Sequence, residues 1–562
     1  MTALRMAAVA AEFGRDLEED FQIAERLVKE AREEDVRLLA LPEACLGGYL
    51  LSLDDDTELD GGPPALALDG PEIRRLAALA GEMTVVAGYC EAGADGRRYN
   101  SVVCVTGDGV LGNHRKVHQP LSEDASYASG DRFHAFDTPA GRIGMMICYD
   151  KAFPESARAL ALDGAQIGVC VSAWPGSRNE RGRQPRRGPV EAALRPLRPG
   201  PRPGEPDLVA LRQPVGNLRV ATLRRQRQGR RPRRRDPRRH RRHGRHRRRR
   251  TRRRTGPGHR TPVDGASARP AARDLRPFPW SSQRMSTIRI AAAAAHFGRD
   301  LEFDLARIAK LVDDARASGA GLLVLPDAAL GGYLADLRHP DPEALPPALK
   351  PDDPLILQVA RLAAEMVVCV GYCEDGGTER YNAAVCVSGD GILGRHRKVH
   401  LPAGEVAAYS PGDRFDAFDT PAGRIGMLID YDKTFPESAR SLALDGAEIL
   451  ACLSAWPTSI TNRAPRMAQD RQAKLFDLYD QARAAENQVV LASSNQTGAM
   501  GGMRFLGQSK VVGPGGDILA RTWAKAGIAV AEVDVAEEID RARRILRHLD
   551  ERRPDAYRET SS

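Results

Sequence analysis

The feature that most constrains this chain is that much of it is written twice. Met1–Glu18 (MTALRMAAVAAEFGRDLE) returns as Met285–Glu302 (MSTIRIAAAAAHFGRDLE), an offset of 284 residues. LLALPEACLGGYL returns as LLVLPDAALGGYL, GNHRKVHQP as GRHRKVHLP, and FDTPAGRIGMMICYDKAFPESAR as FDTPAGRIGMLIDYDKTFPESAR, by which point the offset is 282. The match runs through Ser172–Trp174 against Ser454–Trp456 and then stops. A period this long is a duplicated domain, not a solenoid. At 562 residues there is room for two or three domains with cores of their own.

Each copy alternates strand-like and helix-like segments. ALRMAAVAA and RLLALPEA are apolar runs suited to buried strands, and EEDFQIAERLVKEAREED between them carries apolar residues at helical spacing. Gly107–Gly109 and Gly389–Gly391 mark turns between strands. The pattern predicts a layered α/β domain around a largely buried sheet. No apolar run approaches the roughly 18 residues of a membrane span. Nine cysteines without framework spacing, most inside apolar runs, fit a reducing, cytoplasmic setting.

Between Gly176 and Arg284 the composition changes to 35 Arg, 7 acidic residues and no Lys, a local charge of +28 within a chain of net +8. The rest of the chain is therefore near −20. A disordered linker and a nucleic-acid arm are both open readings of such a tract. A third is favoured. With CGN codons for Arg and reading one base later, Leu194–Pro206 can encode a near-copy of Phe476–Gln488, and Leu223–Arg238 a near-copy of Phe505–Ala520. On that reading the first copy leaves its frame between Trp174 and Glu191 and runs into a paralogous unit starting at Met285. The expected layout is residues 1–175 as a truncated domain, 176–284 as a disordered out-of-frame segment, and 285–555 as a second domain. Nucleic-acid binding is not expected.

Three elements of the first copy converge on nucleophilic chemistry. Cys148 follows the strand RIGMMI and precedes a turn into a helix, a place suited to lowering a thiol pKa and holding an oxyanion. Glu43 closes another strand, and Lys116 in HRKVH supplies a fixed positive charge. A thiol, a carboxylate base and a cation suit attack on a carbon–nitrogen bond without a metal or other cofactor.

LPEACLGGY, HRKVHQP and GMMICYDKAFPESAR resemble, in order and spacing, the three catalytic signatures of the nitrilase superfamily of carbon–nitrogen hydrolases. Tyr99–Asn100 and Gly130–Asp131 also fall where that family has them. The resemblance implies an αββα sandwich in each copy and a triad of Glu43 as base, Lys116 as oxyanion partner and Cys148 as nucleophile. It implies a thioester intermediate and amide, N-carbamoyl or nitrile substrates. A second glutamate, Glu123, stands seven residues before Gly130, as Glu405 does before Gly412; its implied role is to orient the lysine and the substrate.

In the second copy Asp327 replaces Glu43, Lys398 matches Lys116, and Asp430 replaces Cys148. Asp is a methylene shorter than Glu, and Asp430 cannot form a thioester. The three carboxylates of Asp327, Glu405 and Asp430 around Lys398 are expected to raise one another's pKa values. The second copy therefore reads as a catalytically degenerate domain. The first has intact motifs but lacks the counterpart of Met467–Val533, which argues against activity in the chain as written. An alternative is a pseudoenzyme that binds a small ligand or a partner subunit. A homo-oligomer, or pairing of the two copies within the chain, is also expected from the resemblance.

Overall fold

Both copies begin with the same local instructions. After strand β1 (Leu4–Val9), the Asp16 carboxylate accepts hydrogen bonds from the backbone N–H groups of Glu18 and Glu19 and starts helix α1 (Leu17–Glu33). Three acidic residues in its first turn complement the helix dipole, and Phe21, Ala24, Leu27, Val28 and Ala31 are buried at helical spacing. Asp300 caps the corresponding helix of the second copy in the same way.

The structure, a computed structural model, describes residues 4–50, 62–174, 218–223, 287–337, 340–341, 344–462 and 464–557. All of these lie in one compact body made of Met1–Arg224 and Met285–Ser562. The first copy continues with β2 (Leu38–Ala40), α2 (Pro71–Ala80), β3 (Thr84–Ala92), β4 (Arg98–Thr106), β5 (Gly109–Arg115), the single turn α3 (Glu123–Ser126), β6 (Ala135–Thr138), β7 (Gly141–Ile147), α4 (Pro154–Leu162) and β8 (Ile167–Val171). One further strand, β9, is Leu218–Leu223. The second copy opens with β10 (Ile288–Ala295), α5 (Leu301–Ala317), β11 (Leu322–Val324), β12 (Ala348–Leu349), α6 (Pro354–Ala363), β13 (Val367–Asp375), β14 (Arg380–Ser388) and β15 (Gly391–Arg397). It then adds β16 (Ala417–Thr420), β17 (Gly423–Ile429), α7 (Pro436–Leu444), β18 (Ile449–Ser454), α8 (Arg471–Asn487) and β19 (Val490–Gln496). After the short hairpin β20 (Ala499–Met500) and β21 (Met503–Arg504), it closes with β22 (Lys510–Val512), β23 (Ile518–Arg521), β24 (Gly527–Val533) and α9 (Val535–Arg543).

Alternation along the strands builds four layers in the second copy. Ala291, Ala293, Leu323 and Val368 pack against Ile308, Leu311, Ile356 and Val359 of α5 and α6. Their neighbours Ile290, Ala292, Leu322 and Val367 face inward against Ile425, Met427, Ile449 and Val490 of the other sheet. That sheet's outer face, with Leu428, Leu450 and Leu491, meets Ala439 and Leu442 of α7 and Ala484 of α8. Helix, sheet, sheet, helix is the αββα sandwich.

The first copy has one sheet of this pair intact, in the order β5-β4-β3-β2-β1-β9. Of the other, only β6, β7 and β8 are present among the described residues, whereas in the second copy β18 pairs onward with β19 and β19 with β22. The consequence is visible at the edge. All six residues of β18 are buried, but Gly168 and Cys170 of β8 are exposed. Trp174 is 48% exposed where its counterpart Trp456 is 6%.

The tract expected to be disordered differs from that expectation at one place. Strand β9 pairs antiparallel with β1, Leu4 opposite Leu223 and Ala7 opposite Val220. It takes the place that β24 holds beside β10, with Ile288 opposite Val533 and Ala291 opposite Val530. An apolar strand such as β1 would otherwise present an unpaired edge, and LRVATL is rich enough in branched residues to fill it. The rest of the Arg-rich tract lies outside the described residues.

The two copies meet through α4 and α7 in a reciprocal way. Arg158 pairs with Glu437 at 2.7 Å, and its counterpart Arg440 pairs with Glu155, the counterpart of Glu437, at 3.0 Å. The chain after α9 then crosses onto the first copy.

Candidate active site

Cys148 is the first residue of a tight turn, Cys148–Ala152, that follows β7 directly. Its φ of +47° lies in the left-handed region, which a side chain with a Cβ adopts only under constraint. The constraint is Asp150. One carboxylate oxygen accepts the backbone N–H of Ile147 at 3.0 Å; the other accepts those of Val117 at 3.2 Å and His118 at 3.0 Å. His118 Nδ1 lies 2.8 Å and His114 Nε2 3.3 Å from the same carboxylate. One buried side chain therefore clamps the cysteine elbow to the loop that carries Lys116. Burial works against its charge, but the two histidines hold its pKa well below the usual range.

The sequence-predicted residues come together here. Lys116 Nζ donates to Glu43 Oε1 at 3.1 Å and to Glu123 Oε2 at 2.6 Å, all three side chains being fully buried. Asn100 bridges the two carboxylates, donating to Glu43 Oε1 at 2.8 Å and Glu123 Oε1 at 2.7 Å. Tyr49 also donates to Glu123 Oε1, at 3.0 Å, and the Ala173 backbone N–H donates to Glu43 Oε2 at 2.6 Å. Every carboxylate oxygen is engaged. Gly88 in β3 makes the approach of the Glu43 loop feasible, since a Cβ there would stand 2.4 Å from Ala44 N and 2.7 Å from Glu43 Cα.

The Cys148 thiol is buried beside Glu43 and Lys116, and its pKa is raised, not lowered. Burial is the largest cause and the Glu43 charge adds to it, outweighing Lys116. This corrects the expectation drawn from the strand-end position: burial beside a carboxylate pushes the thiol up, not down. Lys116 shows the opposite balance. Burial disfavours its charge, but Glu43 and Glu123 raise its pKa, so it stays an ammonium.

The second copy repeats the scaffold with a different outcome. Asp430 stands at the same elbow with φ +48°, clamped by Asp432 through Ile429, Val399 and His400. Lys398 Nζ donates to Glu405 Oε1 at 2.7 Å and lies 3.5 Å from Asp430 Oδ2. Tyr333 also donates to Glu405. Asp327 is too short to join the lysine as Glu43 does and accepts only from Asn382, at 3.0 Å, on Oδ2. Among the described residues, one oxygen each of Asp327, Glu405 and Asp430 is buried without a partner. Burial, with repulsion from Asp430 and Glu405, pushes Asp327 up to about 8 against the pull of Lys398, and burial also raises Glu405.

A family profile described as carbon–nitrogen hydrolase matches residues 5–186 and 289–543, more than half of the chain. The chain belongs to the carbon–nitrogen hydrolase family. It is 31% identical to an N-carbamoylputrescine amidase of Arabidopsis thaliana over 276 residues, 46% of this chain and 90% of that protein. A nitrilase of Pyrococcus abyssi is 32% identical over 233 residues, 40% of this chain and 81% of its own. Among solved structures, a carbon–nitrogen hydrolase of Helicobacter pylori G27 covers 48% of this chain and 97% of its own length, at 26% identity and a TM-score of 0.43. No helix among the described residues is long and apolar enough to cross a membrane.

Two residues of this hydrolase scaffold escaped the sequence reading. Asn100 stands in the sequence only as half of a Tyr-Asn pair, yet with Lys116 it donates to both glutamates. Asp150 gives a faint signal, an Asp two residues after Cys148 that recurs as Asp432 two residues after Asp430. What it binds, two backbone N–H groups more than thirty residues away, no local pattern could reveal.

Proposed function

We propose that the first copy carries the working site of an amide or N-carbamoyl hydrolase, with Glu43, Lys116 and Cys148 as its triad. The observation that carries this reading is the buried hydrogen-bonded cluster of Glu43, Lys116 and Glu123, with the buried Cys148 beside it on a strained elbow. Glu43 takes the thiol proton as sulfur attacks the substrate carbon; the carbonyl electrons move to oxygen, which Lys116 and the Tyr149 backbone N–H stabilise. Collapse expels the amine or ammonia, which leaves with the proton from Glu43, and a thioester remains. Glu43 then deprotonates a water that releases the acid and returns the thiol. Glu123 and Asn100 hold Lys116 and Glu43 in position. Relatives that carry the name amidase support the choice of amide and N-carbamoyl substrates in this reading.

The second copy, on this reading, is a non-catalytic partner, since Asp430 has no thiol to offer and Asp327 does not reach Lys398. The tract 176–284 is read as an out-of-frame stretch that deprives the first copy of half its second sheet. Restoring that frame is therefore expected to restore turnover. Ammonia release from simple amides and N-carbamoyl amines by the frame-restored chain, abolished by Cys148→Ala, tests the proposal; no release from any amide, N-carbamoyl compound or nitrile refutes it.

A further inference from the structure

The cluster in the second copy carries more negative charge than its donors satisfy. In the first copy every oxygen of Glu43 and Glu123 accepts a hydrogen bond from Lys116, Asn100, Tyr49 or the Ala173 N–H. In the second copy the same three side-chain donors recur as Lys398, Asn382 and Tyr333, but they reach one oxygen of each carboxylate. Asp327 Oδ1, Glu405 Oε2 and Asp430 Oδ1 are buried with no partner among the described residues. Asp327, Glu405 and Lys398 are fully buried, and Asp430, 5% exposed, forms the side nearest to solvent.

Two differences between the copies produce this together. Asp327 in place of Glu43 draws a carboxylate back from the lysine by one methylene. Asp430 in place of Cys148 adds a carboxylate where a thiol stood. Three carboxylates against one ammonium leave a charge of −2 when all are ionised, where Glu43, Glu123 and Lys116 leave −1.

Buried acceptors with surplus negative charge call for a cation that donates hydrogen bonds. A water molecule brings two donors and no charge. Among the described residues no three His, Cys, Asp or Glu side chains are arranged to hold a metal ion. An ammonium group combines a positive charge with at least three N–H donors, one for each unpaired oxygen. We propose that the degenerate site of the second copy binds a compact ammonium ion, NH4+ or the head group of a short primary amine, between Asp327, Glu405 and Asp430. This rests on reading the second copy as non-catalytic, but occupancy is measured without turnover, so hydrolysis by the first copy can fail without touching it.

Binding of such an ion is coupled to a proton. Asp327 faces Lys398, Asp430 and Glu405, and Asn382, Tyr333 and Tyr409 are the other polar groups that interact with it. Its pKa, pushed up to about 8 chiefly by burial, leaves it protonated near neutral pH. An arriving cation favours the carboxylate and expels that proton. Uptake at about pH 7 therefore releases about one proton, and affinity rises with pH up to about 8.

The test is calorimetric titration of the full chain at constant ionic strength with ammonium, methylammonium and tetramethylammonium chlorides, in two buffers that differ in ionisation enthalpy. Ammonium and methylammonium are expected to bind saturably with proton release, and tetramethylammonium, which has no N–H, at least tenfold more weakly. Asp327→Asn and Asp430→Asn are each expected to weaken binding about tenfold or more, the effect of losing one charge-assisted hydrogen bond, and Asp327→Asn to abolish the proton release. Asp327→Asn relieves repulsion in the folded chain, so its loss of binding does not arise from unfolding. No saturable binding, equal binding of ammonium and tetramethylammonium, or an affinity unchanged in both variants overturns the site. Tighter binding of magnesium or calcium chloride than of ammonium assigns the cluster to a metal ion and overturns the ammonium ligand.

Discussion

Replacing Asp327 with Asn isolates the cost of crowding three carboxylates around one lysine. Asp327 is fully buried, with one oxygen bonded to Asn382 and the other without a partner. Burial first, and the charges of Asp430 and Glu405 next, raise its pKa to about 8 against the pull of Lys398. A carboxyl with a folded pKa above its unfolded value near 4 keeps its proton longer when folded, so stability falls as pH rises between the two values. The slope is about 1.4 kcal/mol per pH unit, hence about 2 kcal/mol lost between about pH 6 and pH 7.5. Asn has nearly the same shape and no proton to lose, so D327N lacks this contribution. Urea unfolding followed by the buried Trp456 reads the second copy. The difference in stability between D327N and the parent is expected to grow by about 2 kcal/mol in favour of the variant over that interval. Parallel curves, or a variant that loses ground as pH rises, refute the reasoning.

Other outcomes follow from the same contacts. Asp480 accepts from two buried ammonium groups, Lys433 at 2.7 Å and Lys510 at 2.6 Å. Asp480→Ala leaves both without that partner and is expected to destabilise the second copy by about 3–5 kcal/mol, measured by chemical denaturation. Cys170 is exposed on the edge of β8 while its counterpart Cys452 is buried; peptide mapping after brief alkylation should find Cys170 modified well before Cys452. In a frame-restored chain, Asn100→Ala removes the donor shared by Glu43 and Glu123. It should lower kcat by about ten- to a hundredfold with little change in KM, because it loosens the positioning of groups that act in the reaction.

What the sequence could reveal was set by how local the information is. Apolar runs and helical spacing are local, so a layered α/β domain was legible, whereas the Asp16 and Asp300 caps emerged from the structure. The ordered spacing of Glu43, Lys116, Glu123 and Cys148 was legible as a resemblance, and the structure brings all four together. The direction of the Cys148 shift was not, because it depends on how closely Glu43 approaches a buried thiol. The elbow position alone suggested the opposite. Asp150 and Asn100 act across the sheet on residues distant in sequence, and only topology unites them. Strand β9 was hidden for a different reason: a β-strand slot beside β1 accepts many branched sequences, so an arginine-rich neighbourhood did not reveal that six of its residues would pair.

The central claim is that the first copy's cluster is a thiol nucleophile with its base and cation in place, in a domain short of half its second sheet. Intact-protein mass measurement of the frame-restored chain, quenched during turnover of an amide, tests it most directly. The account predicts an acyl adduct on the peptide containing Cys148, with ammonia released in step and both lost in Cys148→Ala. Ammonia release that persists in Cys148→Ala, or a frame-restored chain that forms neither adduct nor ammonia, would contradict it.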